Sequence, residues 1–219
     1  MSTLIFRLSA PMQAWGTEPR FDKYVRTGME PSKSGIVGLI ASALGIDRRD
    51  DESLAYLTQN IHFGVRVDKE GRVLRDYHAF DCELGQYAYD KYYLMDAKFT
   101  VGIESKDHEL LELIRTALMH PKRLLFLGRK NCPLAEYPEG RIVNLPLMSA
   151  LTDGLQTADV KRKRKFRILR DANIGEPSTI VNDLPVSFSD KKRQYAPRGV
   201  VETIFEVLPP QDLHDPMDF

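Results

Sequence analysis

Apolar and polar residues alternate in several short stretches of the first half of the chain, and this is the period of a half-buried strand. The alternation is clear over residues 3–9, 61–67 and 99–103. Residues 73–80 can form a further extended segment, and the apolar run at 124–127 predicts another strand. The pattern therefore predicts at least five strands before residue 130.

Other stretches carry apolar residues at the helical period instead. Residues 31–45 begin with Ser32 and Ser34, either of which can cap a helix, and end at a glycine. Residues 107–121 begin with an aspartate, a good N-cap, and end at a proline. A shorter helix is expected over residues 50–59.

The order of these elements predicts the fold class. Residues 81–96 hold four tyrosines, which indicates a hairpin that projects from the main sheet. Without this excursion the order is strand, helix, strand, strand, helix, strand, which is the ferredoxin-like unit shared with RNA recognition modules. We predict an α+β protein with this core in residues 1–135 and an irregular C-terminal extension, packed on or beside it, in residues 136–219.

The start of the helix over residues 31–45 is a candidate anion site. Gly35 leaves room for a ligand to approach the backbone, and Lys33 adds a positive charge. Free N–H groups and the helix dipole favour a phosphate at such a position. The stretch is not a P-loop, because it lacks the Gly-Lys-Ser/Thr order. A well-capped buried helix explains the same residues, and this stretch alone leaves both interpretations open.

Charge distribution and cysteine content exclude some classes of function. Lysine plus arginine and aspartate plus glutamate both number 31, but residues 161–199 hold eleven basic and four acidic side chains. Residues 200–219 hold five acidic residues and no lysine or arginine. The two cysteines and five histidines lack zinc-ligand spacing, and no apolar run is long enough for a membrane span. We expect a cytoplasmic protein with no metal, cofactor or membrane partner.

Three places combine cations for phosphates with flat side chains for bases, as single-stranded RNA binding requires. They are the helix start with Arg26 and Lys33, residues 75–78 with the tyrosines after them, and residues 129–131 with the basic run at 161–167. A solvated charged face explains any one of them, but three in one ferredoxin-like chain favour RNA.

A catalytic function has less support. A metal-free ribonuclease needs a base, an acid and a cation, and His78, Tyr77 and Lys33 are residues of the right kinds. Nothing in their spacing shows that they meet, and a strand histidine that hydrogen-bonds or stacks is the simpler interpretation of His78. No nucleophile elbow supports a serine hydrolase.

Several motifs resemble the type I-E branch of the fifth CRISPR-associated protein family. The similar motifs are LIFRLSAPMQAWG at 4–16, TG at 27–28, PSKSGIVGL at 31–39, LGI at 44–46, LRDYH at 74–78, LGRKNCPL at 127–134 and, more weakly, RQY at 193–195. They cover most of residues 4–135 in order, and the chain from residue 136 onward is similar only loosely.

The resemblance implies a RAMP-superfamily subunit of Cascade, the RNA-guided surveillance complex of bacterial antiviral defence. Such a subunit holds the 5′ handle of the CRISPR RNA without cutting it and caps the backbone filament, next to a CasC-type backbone subunit and a CasA-type large subunit. Target DNA is a further candidate partner. An inserted hairpin, the thumb, over about residues 74–96 bends the RNA. In the related type I-C subtype the corresponding protein is a metal-independent endoribonuclease, which is the alternative function.

The candidate RNA-binding residues come from the three basic and aromatic places and from the similar motifs. They are Gln13, Trp15, Arg26, Ser32, Lys33, Ser34, Gly35, Arg75, Tyr77, His78, Arg129, Lys130 and Asn131.

Overall fold

Residues 1–16, 24–82, 85–153, 155, 164–189 and 193–207 are described in this computed structural model. The strands among them are β1 (Ser2–Ser9), β2 (Met12–Gln13), β3 (Tyr24–Val25), β4 (His62–Lys69), β5 (Arg72–Cys82), β6 (Gly85–Met95), β7 (Lys98–Ser105), β8 (Arg141–Val143), β9 (Arg164–Asp171), β10 (Thr179–Ser187) and β11 (Gln194–Val207). The helices are α1 (Lys33–Leu44), α2 (Asp51–Asn60), α3 (His108–Met119) and α4 (Leu147–Thr152).

The helices α1 and α3 begin after the capping residues that the sequence predicts, and α2 begins within one residue of its predicted start. The Ser32 hydroxyl accepts a hydrogen bond from the Gly35 N–H at 3.2 Å and caps α1. Asp50 and Asp107 cap α2 and α3 in the same way. Gly45 ends α1 with a φ of 77°, a left-handed conformation that glycine adopts without steric cost.

Seven strands form one antiparallel sheet in the order β10-β11-β9-β4-β7-β1-β8. Within it, the order β4-β7-β1-β8, with α1 and α3 in the connections, is consistent with the predicted ferredoxin-like core. The predicted strands over residues 3–9, 61–67 and 99–103 are confirmed as β1, β4 and β7.

The predicted strand at residues 124–127 is wrong. In this stretch Phe126 makes only an isolated bridge to Pro133, and the fourth strand of the core is β8, which pairs with β1. Leu125 and Leu127 are buried in a loop, and a short apolar run has the same pattern in a loop as in a strand. With three residues, β8 is too short to show a period of its own.

Both faces of the central sheet are covered. Apolar side chains of β1, β4 and β7 form the main core together with those of α1, α2 and α3. On the other face, α4 packs against Gly64 and Gly102, which pair across β4 and β7. A Cβ atom at Gly102 would lie 2.7 Å from Leu147, so these glycines let α4 approach the sheet.

The described part of the C-terminal extension contains regular strands, which corrects the expectation of an irregular extension. Strand β9 pairs with β4, so β9, β10 and β11 continue the same sheet. Residues 172–190 lack a clear strand pattern because β10 has register shifts at 181–184 and 185–187, which interrupt the alternation. The predicted domain boundary near residue 135 stays a prediction.

The predicted hairpin is confirmed between the second and third core strands. Strands β5 and β6 pair from Arg72↔Met95 to Cys82↔Gly85, with β2 and β3 beside β6. We call this β5–β6 unit the hairpin.

Candidate nucleic-acid interface

A groove of about 640 Å³ lies between α1, the loop after α3 and the strands β10 and β11. Six cationic side chains line it, and none of the described residues that line it is acidic. The cations are Arg26, Arg48, Arg123, Arg129, Lys130 and Arg193. All except Arg129 are exposed to solvent. We call this feature the basic groove. Such an arrangement attracts a polyanion.

Small residues of α1 form part of the floor of the basic groove. Ser34, Gly35, Gly38 and Ser42 all line it, at positions that share one face of the helix. A Cβ atom at Gly35 would lie 2.9 Å from the Trp15 ring, so this position requires glycine or a shift of the ring. The floor therefore presents backbone and hydroxyl groups instead of bulky side chains.

The loop that carries two of the cations depends on Gly128. This residue has a φ of 88°, and a Cβ atom there would lie 1.6 Å from the carbonyl oxygen of Ala14. The Ala14 N–H in turn donates to the carbonyl of Leu127 at 3.0 Å. The close contact between the two segments fixes the loop from which Arg129 and Lys130 project.

Arg129 and Asn131 connect the basic groove with the base of the hairpin. The Arg129 guanidinium donates to the carbonyl oxygens of Tyr92 and Val25, both at 3.1 Å, and lies 4.7 Å from the ring centroid of Tyr93. The Asn131 amide donates to the Tyr93 hydroxyl at 2.8 Å. Arg26, Arg129 and Lys130 therefore line one groove, whereas the sequence pattern groups Arg26 with Lys33 and residues 129–131 with the run at 161–167. Arg129 also has a structural role.

The Lys33 side chain is not available to an external anion at the start of α1, contrary to the prediction. The Lys33 ammonium lies 2.7 Å from Asp171, and its backbone N–H donates to the Asp183 carboxylate at 2.8 Å. Asp183 therefore occupies the anion position that the sequence assigns to a phosphate. Because the Lys33 side chain is only 7% exposed, its predicted contact with RNA is wrong.

Arg198 contacts the same two carboxylates as Lys33, which are those of Asp171 and Asp183. Its guanidinium contacts Asp183 at 2.6 and 2.9 Å and Asp171 at 2.7 Å. All four charged side chains are between 4% and 11% exposed. We call Lys33, Asp171, Asp183 and Arg198 the buried network. It joins the C-terminal strands to the start of α1.

Gln13 and Trp15 also lie inside the protein. The Trp15 indole N–H donates to the Gln13 side-chain oxygen at 3.0 Å, and the Gln13 amide donates to the Ala97 carbonyl at 2.8 Å. Trp15 is 1% exposed and packs edge-on against Phe99. Contact of these two side chains with RNA is therefore excluded, and Trp15 instead supports the floor at Gly35.

The predicted residues of the hairpin have different surroundings. Arg75 makes a bidentate ion pair with Asp90, and Tyr77 is 62% exposed. His78 bonds to Asp76 at 2.7 Å and stacks on Tyr89, as a structural strand histidine would.

The three candidate catalytic residues do not meet. Tyr77 and His78 are neighbours in β5 and therefore lie on opposite faces of the hairpin. Lys33 belongs to the buried network.

Two basic side chains of the run at 161–167, Lys165 and Arg167, are paired with carboxylates. Residues 161–163 lie outside the described residues, Lys165 pairs with Glu206, and Arg167 contacts Glu30, Glu70 and Glu202. Burial raises the pKa of Glu30 above its usual value, which the charge of Arg167 opposes. Lys165 and Arg167 are therefore cations with acidic partners on the protein itself.

Sequence reasoning missed three cations and two aromatic residues of the basic groove. Arg48, Arg123, Arg193, Phe188 and Tyr195 come from three distant segments that the fold brings together. For Arg193 and Tyr195, the weakly similar motif RQY at 193–195 was the signal in the sequence that could have identified them. Arg123 donates to the carbonyl oxygens of Ile46 and Gly45 at the C-terminal end of α1.

The fold and the groove define a mostly antiparallel α+β protein with an inserted hairpin and a cation-lined cleft. The chain belongs to the family "CRISPR-associated protein (Cas_Cas5)", whose model matches residues 3–201. None of the helices in the described ranges is long and apolar enough to cross a membrane.

Individual proteins and solved structures that are similar to this chain are also described as CRISPR-associated or Cas proteins. The chain is 38% identical over 152 residues to "CRISPR system Cascade subunit CasD" of Escherichia coli (strain K12), across 61% of this chain and 67% of that protein. A structure described as "Crystal structure of Cas protein" matches with a TM-score of 0.71 and 34% identity, covering 94% of this chain and 95% of the other. A chain of a "CRISPR RNA-guided surveillance complex" matches with a TM-score of 0.75 and 26% identity, covering 96% and 95%.

Proposed function

We propose that this chain is a non-catalytic subunit of an RNA-guided surveillance complex that binds the 5′ handle of the CRISPR RNA in the basic groove. The observation that carries the proposal is a cleft lined by six cations and, among its described residues, by no acid. Relatives described as a Cascade subunit and as part of a surveillance complex support the setting. A CasC-type backbone subunit and a CasA-type large subunit are the proposed protein partners.

The chemistry of the groove fits a bent single strand. Exposed arginine and lysine side chains neutralise phosphates, while the small residues of the α1 floor let the backbone of the RNA approach closely. Phe188 and Tyr195 supply flat surfaces in the same groove. Both kinds of group are needed when RNA is bound as an unpaired strand.

The test is the salt dependence of binding to a labelled handle RNA, measured by fluorescence anisotropy. Single-strand binding loses about 0.7 in the slope of log K against log salt for each phosphate contact removed. The double variant Arg26→Ala/Lys130→Ala should therefore lower affinity and flatten the slope by about 1.4. The control Lys98→Ala/Lys106→Ala removes the same charge from exposed positions outside the groove and should leave the slope unchanged. An unchanged slope in the groove variant would contradict the proposal.

The non-catalytic assignment has its own test. Incubation of the full chain with repeat RNA in EDTA should leave the RNA intact, because Lys33 is ion-paired inside the protein and Tyr77 and His78 lie on opposite faces of β5. A single discrete cut that His78→Ala abolishes would establish the ribonuclease instead.

A further inference from the structure

Arg26 is an exposed cation of the basic groove, and it lies in a segment with little regular structure. We call residues 24–28 the Arg26 segment. The strand β3 within it is only two residues long and pairs with β6 at Tyr24 and Val25. Because this strand is shorter than most strands of globular proteins, the position of Arg26 depends on further contacts.

The Arg129 guanidinium holds the Arg26 segment at its first half. One terminal nitrogen donates to the carbonyl oxygens of Val25 at 3.1 Å and Arg26 at 3.4 Å, and the other donates to the carbonyl of Tyr92 at 3.1 Å. One face of the guanidinium lies on the Tyr93 ring, 4.7 Å from its centroid. Both terminal nitrogens therefore have acceptors within the protein, and these nitrogens form the fork with which an arginine binds a phosphate.

The second half of the Arg26 segment is attached to the backbone of Trp15. The Trp15 N–H donates to the Thr27 hydroxyl at 2.9 Å, and the Gly28 N–H donates to the Trp15 carbonyl at 2.6 Å. Arg26 lies between these bonds and the contacts with Arg129, and its own side chain is exposed in the groove. The segment is therefore fixed on both sides of its exposed cation.

We propose that Arg129 is a positioning residue, which holds Arg26 where it contacts an RNA phosphate and does not contact that phosphate itself. The inference rests on the proposed function and divides the cations of the groove into two kinds. Arg26 and Lys130 are exposed, whereas Arg129 is half-buried and donates to backbone carbonyls. A planar guanidinium can donate in two directions while its face lies on a ring, and a lysine ammonium lacks this geometry.

A double-mutant cycle on the salt slope tests the inference with the labelled handle RNA. The slope of log K against log salt is measured for Arg26→Ala, Arg129→Met and the double variant. Each single variant should flatten the slope by about 0.7, because each loses the same phosphate contact, and the double variant should flatten it by no more. The reference is Arg26→Ala/Lys130→Ala, which loses two independent contacts and should flatten the slope by about 1.4.

The variant Arg129→Lys keeps the positive charge, and it takes the place of Arg129→Met if circular dichroism shows that variant to be unfolded. We expect it to flatten the slope by about 0.7 as well, because an ammonium cannot replace the guanidinium fork that holds Arg26. A direct phosphate contact of residue 129 predicts an unchanged slope instead, since the charge is retained.

Trypsin gives a measurement that does not involve RNA. The enzyme cleaves after arginine, and cleavage of a folded chain requires local opening of the segment that is cut. In both Arg129 variants, cleavage after Arg26, followed by mass spectrometry, should become about tenfold faster, because hydrogen bonds that keep the segment closed are lost. Cleavage after Arg123, which bonds to the carbonyls of Gly45 and Ile46, is the internal control and should keep its rate.

Two kinds of result would overturn the inference. Flattening by about 1.4 in Arg26→Ala/Arg129→Met would show that Arg129 contacts a phosphate itself. An unchanged slope in either Arg129 variant, or an unchanged rate of cleavage after Arg26, would show that Arg129 does not hold the segment. Failure of the proposed function is distinguishable from both, because Arg26→Ala alone would then leave the slope unchanged while the cleavage rates still report on Arg129.

Discussion

Two groups of cationic side chains lie near helix α1, and the two groups have different surroundings. At the start of α1, Lys33 and Arg198 contact two carboxylates and are almost completely buried. Along the side of α1, Arg26 and Lys130 project into a groove where no described lining residue is acidic. The first group holds the C-terminal strands against the core, and the second is available to an external anion.

The difference shows that a cation near a helix start is not by itself a phosphate site. The partner of Lys33 is supplied by β9 and β10, which lie more than a hundred residues further along the chain. Burial of such a pair requires both charges, because an isolated charge in the interior is strongly unfavourable. Exposed cations carry no such requirement, so they can be exchanged at little cost in stability and at a large cost in binding.

The buried network should show the largest effect on stability. Asp183→Ala removes a carboxylate from Arg198 and from the start of α1, and we expect the free energy of unfolding to fall by about 3–5 kcal/mol. Urea unfolding measures this value. Asp153→Ala, which breaks the exposed pair with Arg141, is the control and should cost about 0–1 kcal/mol. Equal losses of unfolding free energy in the two variants would contradict the claim that the buried network contributes more to stability than an exposed ion pair.

A substitution of Gly128, in the loop beside the basic groove, should have the next largest effect on stability. Gly128 and Gly175 both have positive φ values, 88° and 81°, but only Gly128 faces another backbone segment. Gly175→Ala should cost about 1–2 kcal/mol from the left-handed conformation alone. Gly128→Ala adds the clash with the Ala14 carbonyl and should cost more, with a loss of RNA affinity as the loop moves. Similar unfolding midpoints for the two variants would contradict the role of the close contact.

The half-buried ion pair between Arg170 and Glu176 should give the smallest effect on stability, and this effect depends on pH. Hydrogen bonds from Arg170 and from the Asn173 backbone lower the pKa of Glu176 from 4.5 to about 2. Because the folded pKa is depressed, this pair contributes stability above pH 4.5, and the contribution is lost as the pH falls towards 2. The difference in unfolding free energy between wild type and Glu176→Gln should shrink over that range. A difference that is constant with pH would rule out the depressed pKa.

Local signals were sufficient for most of the core. Capping residues and apolar periods predicted α1, α2 and α3 within a residue or two, because these features act inside one segment. These signals failed at residues 124–127, where Leu125 and Leu127 are buried in a loop and gave the pattern of a strand. They also failed at β10, where a bulge interrupts the pattern of a true strand.

The candidate site was predictable only where it lies in one motif. Arg129, Lys130 and Asn131 are consecutive and were found, whereas Arg48, Arg123 and Arg193 reach the groove through pairings of distant strands and helices. The side chain of Lys33 was misassigned because its carboxylate partners, Asp171 and Asp183, come from strands whose position the sequence does not reveal.

The most direct measurement compares two lysines near α1 in the same assay. The slope of log K against log salt for single-stranded RNA is determined for Lys33→Met and Lys130→Met, at a temperature where circular dichroism shows both to be folded. Loss of Lys130 should flatten the slope by about 0.7, because one phosphate contact disappears. Loss of Lys33 should lower stability and leave the slope unchanged. A slope that flattens in Lys33→Met and is retained in Lys130→Met would contradict the assignment of the basic groove.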